Sequence, residues 1–185
     1  MIQKEQEEDC MKSLPNKIHI IGSVGSGKTT YAKKLSIQTG IQYYELDNMV
    51  WKRIEGSRDI RRSVEERNEH LATILQLDKW IIEGVHHTWV KSSLDHADFI
   101  IFLDTPYGKR NYRIIKRFIR QIVGIEKANY TPTFKMFINM FKWNAYFENK
   151  SKPEILKLLD HYGDKVVICK NNVDLKNFIK MELRQ

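Results

Sequence analysis

The stretch Lys17-Ile18-His19-Ile20-Ile21-Gly22-Ser23-Val24-Gly25-Ser26-Gly27-Lys28-Thr29-Thr30 decides the fold. Its centre, Gly22 to Thr29, satisfies GxxxxGK[ST], the pattern of a phosphate-binding loop. The apolar run before it reads as a buried strand. Thr30-Tyr31-Ala32-Lys33-Lys34-Leu35 after it reads as a helix, so the motif has the strand–loop–helix context that its mechanism needs. Glycines let the backbone curl until its N–H groups point inward at phosphate oxygens, and the helix that follows adds the positive end of its dipole. Lys28 is expected to reach the β- and γ-phosphates, and the Thr29 hydroxyl to hold Mg²⁺. The expected nucleotide-binding set is Gly22, Ser23, Gly25, Ser26, Gly27, Lys28, Thr29 and Thr30, with ATP and Mg²⁺ as cofactors.

At 185 residues the chain suits one domain with a proper core. The longest apolar run, Phe99-Ile100-Ile101-Phe102-Leu103, is far too short to span a bilayer. Residues 1–16 read as a disordered, acidic lead-in without an apolar signal core, with Met11 a candidate alternative start. Cys10 and Cys169 have no metal or redox spacing and read as free thiols of a cytoplasmic protein. Net charge is +8, unevenly spread: from Thr105 to Lys152 eleven Lys and Arg stand against two Glu. Such a basic segment in a phosphate-binding protein serves either the nucleotide or a nucleic acid.

Further strands are expected at Ile41 to Leu46, Trp80 to Ile82, Phe99 to Leu103 and Val166 to Cys169. Between them, helices are expected at Thr29 to Thr39, Ser63 to about Leu77, Lys109 to Val123, Thr133 to Asn149, Glu154 to Tyr162 and Asp174 to Leu183. Asn48 to Arg62 reads as a loop or helical segment. Ser63 with Glu66 spells a capping box, and Pro153 and Gly163 bracket the helix at Glu154. Continuous apolar strands alternating with helices indicate an α/β fold, a parallel sheet covered on both faces. Ligands then bind at the carboxyl ends of the strands, where Gly22, Asp47, Glu83 and Asp104 fall. There is no internal repeat and no second-domain boundary, so residues 17–185 read as one domain.

Phosphoryl transfer needs positioning, a metal, and cations for the moving phosphate. Arg110, Arg113, Arg117 and Arg120 sit at i, i+3, i+7 and i+10, within one narrow helical arc. Ile115, Phe118, Ile119 and Ile122 fall on the opposite arc, expected toward the core. The arginines are read as a phosphate lid over about 105–152, against the alternative of a solvated face. Asp47 is the candidate acceptor-side carboxylate, or else a helix cap. Glu83 is a candidate holder of a Mg²⁺-bound water, or a structural turn residue, and Asp104 a cap into the lid. Trp51, Arg53 and Arg58 form a candidate acceptor pocket, or a Trp at the core edge with solvated arginines. His86 and His87 lack the spacing of a metal site, and the stripe Phe134, Phe137, Ile138 and Phe141, with Trp143 and Tyr146, reads as packing.

The order of these blocks resembles one family. Gly22 to Thr29, Leu46-Asp47 with Trp51, Trp80-Ile81-Ile82-Glu83-Gly84, and Phe102-Leu103-Asp104-Thr105-Pro106 before an arginine-rich helix are similar to the bacterial DNA topology modulation proteins (FlaR-like). These resemble relatives of adenylate and shikimate kinases, and the match runs from about Lys17 to Leu183. The resemblance implies a three-layer P-loop kinase fold with five parallel strands in the order 2-3-1-4-5. It implies an acceptor region after strand two and an arginine lid after strand four. By position it assigns Lys28 and Thr29 to phosphate and metal, Asp47 to the acceptor, and Arg113 and Arg117 to the lid. Where such kinases carry Asp-Gly after strand three, this chain has Glu83-Gly84.

Two functions follow. The first is an ATP-dependent phosphotransferase acting on a small-molecule or nucleotide acceptor, as a monomer or weak homodimer. The second is a nucleic-acid-binding P-loop ATPase affecting DNA topology. Compactness favours the first. A GTPase lacks its guanine-reading motif here, since Asn149-Lys150-Ser151-Lys152 has no aspartate.

Overall fold

Alternation inside the first strand sets the layers. β1 (Lys17–Gly22) sends Ile18 and Ile20 to one face and Ile21 to the other. The structure, a computed structural model, describes residues 15–54, 59–126 and 133–170. Cys10, Arg58, the lead-in before Pro15 and the expected closing helix at Asp174 to Leu183 lie outside the described residues.

β1 is followed by α1 (Lys28–Thr39), β2 (Tyr43–Glu45), α2 (Leu46–Val50) and a two-stranded antiparallel ribbon of β3 (Trp51–Lys52) and β4 (Ile60–Arg61). Then come α3 (Val64–Leu75), β5 (Trp80–Gly84), α4 (Lys91–His96), β6 (Phe99–Leu103) and α5 (Tyr107–Ile122). α6 (Phe134–Tyr146), a π turn (Phe147–Ser151), α7 (Lys152–Leu159) and β7 (Val166–Cys169) complete the described chain. The main sheet is parallel, in the order β2-β5-β1-β6-β7. The strand numbers differ from the expected 2-3-1-4-5 because the short ribbon stands between the second and third sheet strands.

Each face of the sheet has its own core. Ile18, Ile20, Ile81 and Ile101 pack on Tyr31, Ala32 and Leu35 of α1. Ile21, Ile82, Ile100 and Phe102 pack on Leu71 and Ile74 of α3, Leu94 of α4 and Ile155 and Leu159 of α7. This is the three-layer arrangement that continuous apolar strands require. Among the described residues no helix is long and apolar enough to cross a membrane. Cys169 is buried.

Three expectations need correction. The strand at residue 41 is shorter, because Leu46 already begins α2; Asp47 therefore lies in a first helical turn and not at a strand end. Pro153 opens a helix as expected, but that helix is Lys152–Leu159 and runs on directly from the π turn instead of starting at Glu154. Proline costs no hydrogen bond in a first turn, and the π turn carries α6 into α7 with Pro153 at its start. Finally, Ile115, Ile119 and Ile122 of α5 face outward, between 41% and 58% exposed, while Arg110 on the other arc is buried. Arg110 and Arg113 of the basic arc lie against the phosphate loop, so the apolar arc turns away from it. Phe118 is half-buried and stacks on Phe137 of α6, their ring centroids 4.3 Å apart.

His19 lies mid-strand in β1 with no exposed surface. Its Nδ1 is 2.9 Å from Ser93 Oγ, which donates to the Val90 carbonyl at 2.8 Å, so the ring nitrogen donates to the hydroxyl. Burial pushes the imidazole pKa down from 6.5 to about 3. The unfolded chain takes up this proton below pH 6.5, and the folded protein only near pH 3. Stability is therefore full above pH 6.5 and falls as the pH drops, by about 1.4 kcal/mol per pH unit in that window. In urea titrations, wild type should lose about 2 kcal/mol more than His19→Asn between pH 7.5 and pH 5. Equal losses in both proteins would remove His19 as the cause.

Candidate functional site

The carboxyl ends of β1 and β5 meet side by side, in a register that pairs Ile20 with Glu83. Lys28 Nζ lies 3.9 Å from Glu83 Oε2, and Thr29 Oγ1 donates to Glu83 Oε1 at 2.5 Å. Glu83 is only 2% exposed, and its Oε2 accepts no hydrogen bond. Burial pushes its carboxyl pKa up; Lys28 and the Thr29 hydroxyl pull it back, and Glu45 and Asp47 add to the rise. A hydroxyl and a buried carboxylate with an open oxygen are hard donors of the kind Mg²⁺ takes, so the residues present fit that ion.

The loop itself is built from the inside of the fold. Gly25 has φ +74°, and a Cβ there would come within 2.8 Å of the Arg110 carbonyl, so only glycine lets α5 pack this closely. Arg113 Nη1 donates to the carbonyls of Ser26 at 2.6 Å and Gly25 at 3.2 Å. Thr105 Oγ1 donates to the Ser26 carbonyl at 3.1 Å. Ser23 Oγ donates to Asn144 Oδ1 at 3.2 Å, and Asn144 Nδ2 donates to Asn111 Oδ1 at 2.7 Å. The loop's outward carbonyls and its first hydroxyl are thus satisfied by α5, α6 and the β6–α5 turn. The motif's mechanism turns the N–H groups on the inner side of such a loop toward phosphate.

The basic arc divides by depth. Arg110 is 1% exposed, forms an ion pair with Glu148, and lies 5.1 Å from the centroid of the Phe147 ring. Arg113 is half-buried on the loop, while Arg117 and Arg120 lie on the exposed part of α5. Arg120 pairs with Glu126 at 3.5 Å. Lys152 joins Asp104 at 2.6 Å and Glu148 at 3.4 Å, so Asp104 anchors the π turn region rather than capping α5.

At the start of α2, Asp47 Oδ1 lies 3.4 Å from His86 Nε2. The hydrogen bond from His86 holds the Asp47 carboxyl below the usual carboxylate range, with Lys28 and Arg53 helping against partial burial. Trp51 begins β3 and is 37% exposed. Arg53 forms an ion pair with Asp59, and its Nε donates to Asn48 Oδ1 at 3.3 Å. Arg62 donates to the carbonyls of Asn48 and Met49 at 2.6 and 3.3 Å, closing the end of α2. His87 turns away to Glu154 at 2.9 Å. Thr30 is exposed on the first turn of α1.

Lys28, Thr29, Glu83 and Asp47 are therefore within one electrostatic neighbourhood, and Arg113 reaches the same loop from behind. Sequence reasoning missed Asn111, Asn144, Thr105, Glu148 and the His86 partnership. Spacing says nothing of these, because each contact joins elements tens of residues apart. The one available signal was Asn144, a polar residue inside an otherwise apolar helical stripe.

The fold matches that of the shikimate kinase from Acinetobacter baumannii solved in complex with shikimate. The TM-score is 0.56 at 13% identity, covering 94% of this chain and 96% of that one. Lower in similarity are the deoxyadenosine kinase from M. mycoides with bound dATP (TM-score 0.48, 15% identity, 91% of this chain and 100% of that one) and an unliganded sugar kinase from Janibacter sp. HTCC2649 (TM-score 0.45, 16% identity, 85% of this chain and 86% of that one). At 13% identity the likeness to the shikimate kinase is one of fold. No family model matches the chain, and no curated protein does.

Proposed function

We propose that the protein is an ATP-dependent phosphotransferase that moves the γ-phosphoryl group to a small hydroxylated acceptor. The observation that carries this reading is the junction of Lys28, Thr29 and Glu83 at the end of a complete phosphate loop. The inner N–H groups of Gly22 to Thr30 cradle the phosphates, and Lys28 balances the β- and γ-phosphate charge. Thr29 and Glu83 would hold Mg²⁺, which would supply charge neutralisation for the phosphate groups.

Asp47 meets the acceptor hydroxyl and takes its proton as the acceptor oxygen bonds to the γ-phosphorus and the bond from that phosphorus to the departing ADP oxygen breaks. His86 holds this carboxylate in place. Trp51 and Arg53 border the acceptor from the segment that follows, as does Arg58 by its position in the sequence. The segment of about 105–152 forms the lid, with Arg113 and Arg117 as its phosphate-facing cations. The sequence resemblance to the DNA topology modulation proteins belongs to this reading through their kinase relatives. A DNA activity is not part of the proposal: Arg110, Arg113, Arg120 and Lys152 of the basic segment are engaged within the fold.

The test is transfer from ATP to a panel of acceptors, followed by ³¹P NMR, for wild type and Asp47→Asn. A carboxylate held below its usual pKa is a weak base. The variant should therefore lose on the order of 10²-fold in transfer, the low end for general-base catalysis, with ATP affinity nearly unchanged. Full transfer by Asp47→Asn would reduce Asp47 to a helix residue.

A further inference from the structure

The outward side of the α5–α6 pair is apolar and rimmed with lysines. Phe118 stacks on Phe137, and Asn144 bonds Asn111, so seven residues forward along α5 correspond to seven back along α6. The two helices are antiparallel neighbours. On the inner side of their seam lie buried Arg110, Ile114 and Gln121 of α5 and Met140 and Asn144 of α6. On the outer side stand Ile115, Ile119 and Ile122 of α5 with Phe134 and Ile138 of α6, between 41% and 68% exposed. Aromatic rings fill the seam itself: Phe118 and Phe137 lie 4.3 Å apart, and Phe141 meets Phe137 edge-on at 5.0 Å. The result is one broad apolar face rather than a groove. Contiguous apolar surface of this kind marks an interaction site.

Cations flank that face on both edges. Lys109, Lys116 and Arg120 fall in one row beside the α5 isoleucines, and Lys135 and Lys142 in another beside Ile138. All five are exposed. Arg120 is held by Glu126. Among the described residues the lysine salt bridges are those of Lys28, Lys91 and Lys152, so the four flanking lysines carry uncompensated charge. Both carboxylates between Thr105 and Lys152 are engaged, Glu126 with Arg120 and Glu148 with Arg110 and Lys152. Arg113 and Arg117 belong to the opposite arc, and Lys127 lies outside the described residues.

These charges select the occupant. A second copy on this face would bring the same lysine rows with no carboxylate to meet them, an arrangement that like charge opposes. A partner helix needs a groove to enter, and here the rings close the seam. A flat anionic surface with an apolar interior suits both parts of the face. Isoleucine and phenylalanine side chains enter the interior, while the lysine stems lie along it and carry their ammonium groups to the headgroups. We infer that the α5–α6 face docks the protein peripherally on an anionic lipid bilayer. The phosphate loop lies against the opposite arc of α5, so docking leaves it uncovered. This inference stands apart from the phosphotransferase reading and adds to it the place where the site works.

The test is cosedimentation of the full chain with vesicles of phosphatidylcholine alone and of phosphatidylcholine with about one-third phosphatidylserine. Sedimentation velocity without lipid and thermal unfolding are measured beside it. Wild type should bind the anionic vesicles about tenfold or more tightly than the neutral ones, and added salt should shrink the difference. Lys116→Gln/Lys142→Gln should weaken anionic binding by on the order of tenfold, at about fivefold for each cation near the surface. Ile115→Ser/Ile119→Ser should weaken it by about tenfold through the apolar area lost, with the unfolding midpoint unchanged. Equal binding to both vesicle types overturns the inference, as does unchanged binding by either double variant. A monomer that ignores both vesicle types overturns it and leaves the face to a protein partner. A lipid-free dimer that Ile115→Ser/Ile119→Ser dissociates overturns it in favour of a second copy. A marked fall in that variant's unfolding midpoint overturns it too, because the face would then pack within the fold.

Discussion

Lys28→Ala should lower phosphoryl transfer by on the order of 10³-fold or more and weaken ATP binding measurably. The lysine is the cation that the loop directs at the β- and γ-phosphates, where negative charge shifts during transfer. Nothing else within the described loop can replace it, since Arg113 is turned onto the carbonyls of Ser26 and Gly25 on the loop's other side. The fold should survive, because Lys28 makes no apolar core contact and its loss also relieves none of the loop's backbone bonds. Removal of the cation leaves Glu83 buried beside an empty space, which raises its pKa further. Lys28→Arg keeps the charge but offers a planar fork in place of a compact ammonium, and should recover only part of the rate. Steady-state transfer and thermal unfolding of the three proteins check these outcomes together. Wild-type turnover in Lys28→Ala would remove the loop from the reaction.

Arg113→Ala is expected to lower the transfer rate by about 10³-fold, by analogy with arginines that meet phosphate only in the transition state. Its guanidinium sits against the loop, with Nη1 2.6 Å from the Ser26 carbonyl, and the expected effect requires it to leave that carbonyl for phosphate when the site closes. A group that acts mainly in the transition state changes kcat more than ground-state affinity, so ATP affinity should fall far less than the rate. If Arg113 only braced the loop, rate and affinity would fall together. Duplex DNA should neither compete with ATP nor stimulate turnover. A nucleic-acid site on this segment would instead show an affinity falling steeply with salt, at a log–log slope near −0.9 for each phosphate contact. Arg113→Ala would then relax that slope by about one.

How far the sequence could be read depended on the range of each interaction. The loop, the parallel sheet and the capping box at Ser63 and Glu66 were legible, because each is coded within a few consecutive residues. Asp47 and Glu83 were legible as candidates, since both follow an apolar strand. The orientation of α5 was not. Its apolar and basic arcs were correctly separated, but periodicity cannot say which arc faces the fold, and buried Arg110 paired with Glu148 reversed the usual choice. The ribbon of Trp51–Lys52 and Ile60–Arg61 escaped for a different reason, because two-residue strands are too short to show alternation. Arg53 is a candidate by its position after Asp47, and its pairing with Asp59 shows only in the fold.

The most direct test is a calorimetric titration of ATP into wild type and Lys28→Ala, each with and without Mg²⁺. Wild type should bind one ATP, more tightly with Mg²⁺ than without, and the variant should lose most of that affinity. Absence of ATP binding to wild type, or equal binding by both proteins, would contradict a phosphate site at Gly22 to Thr29.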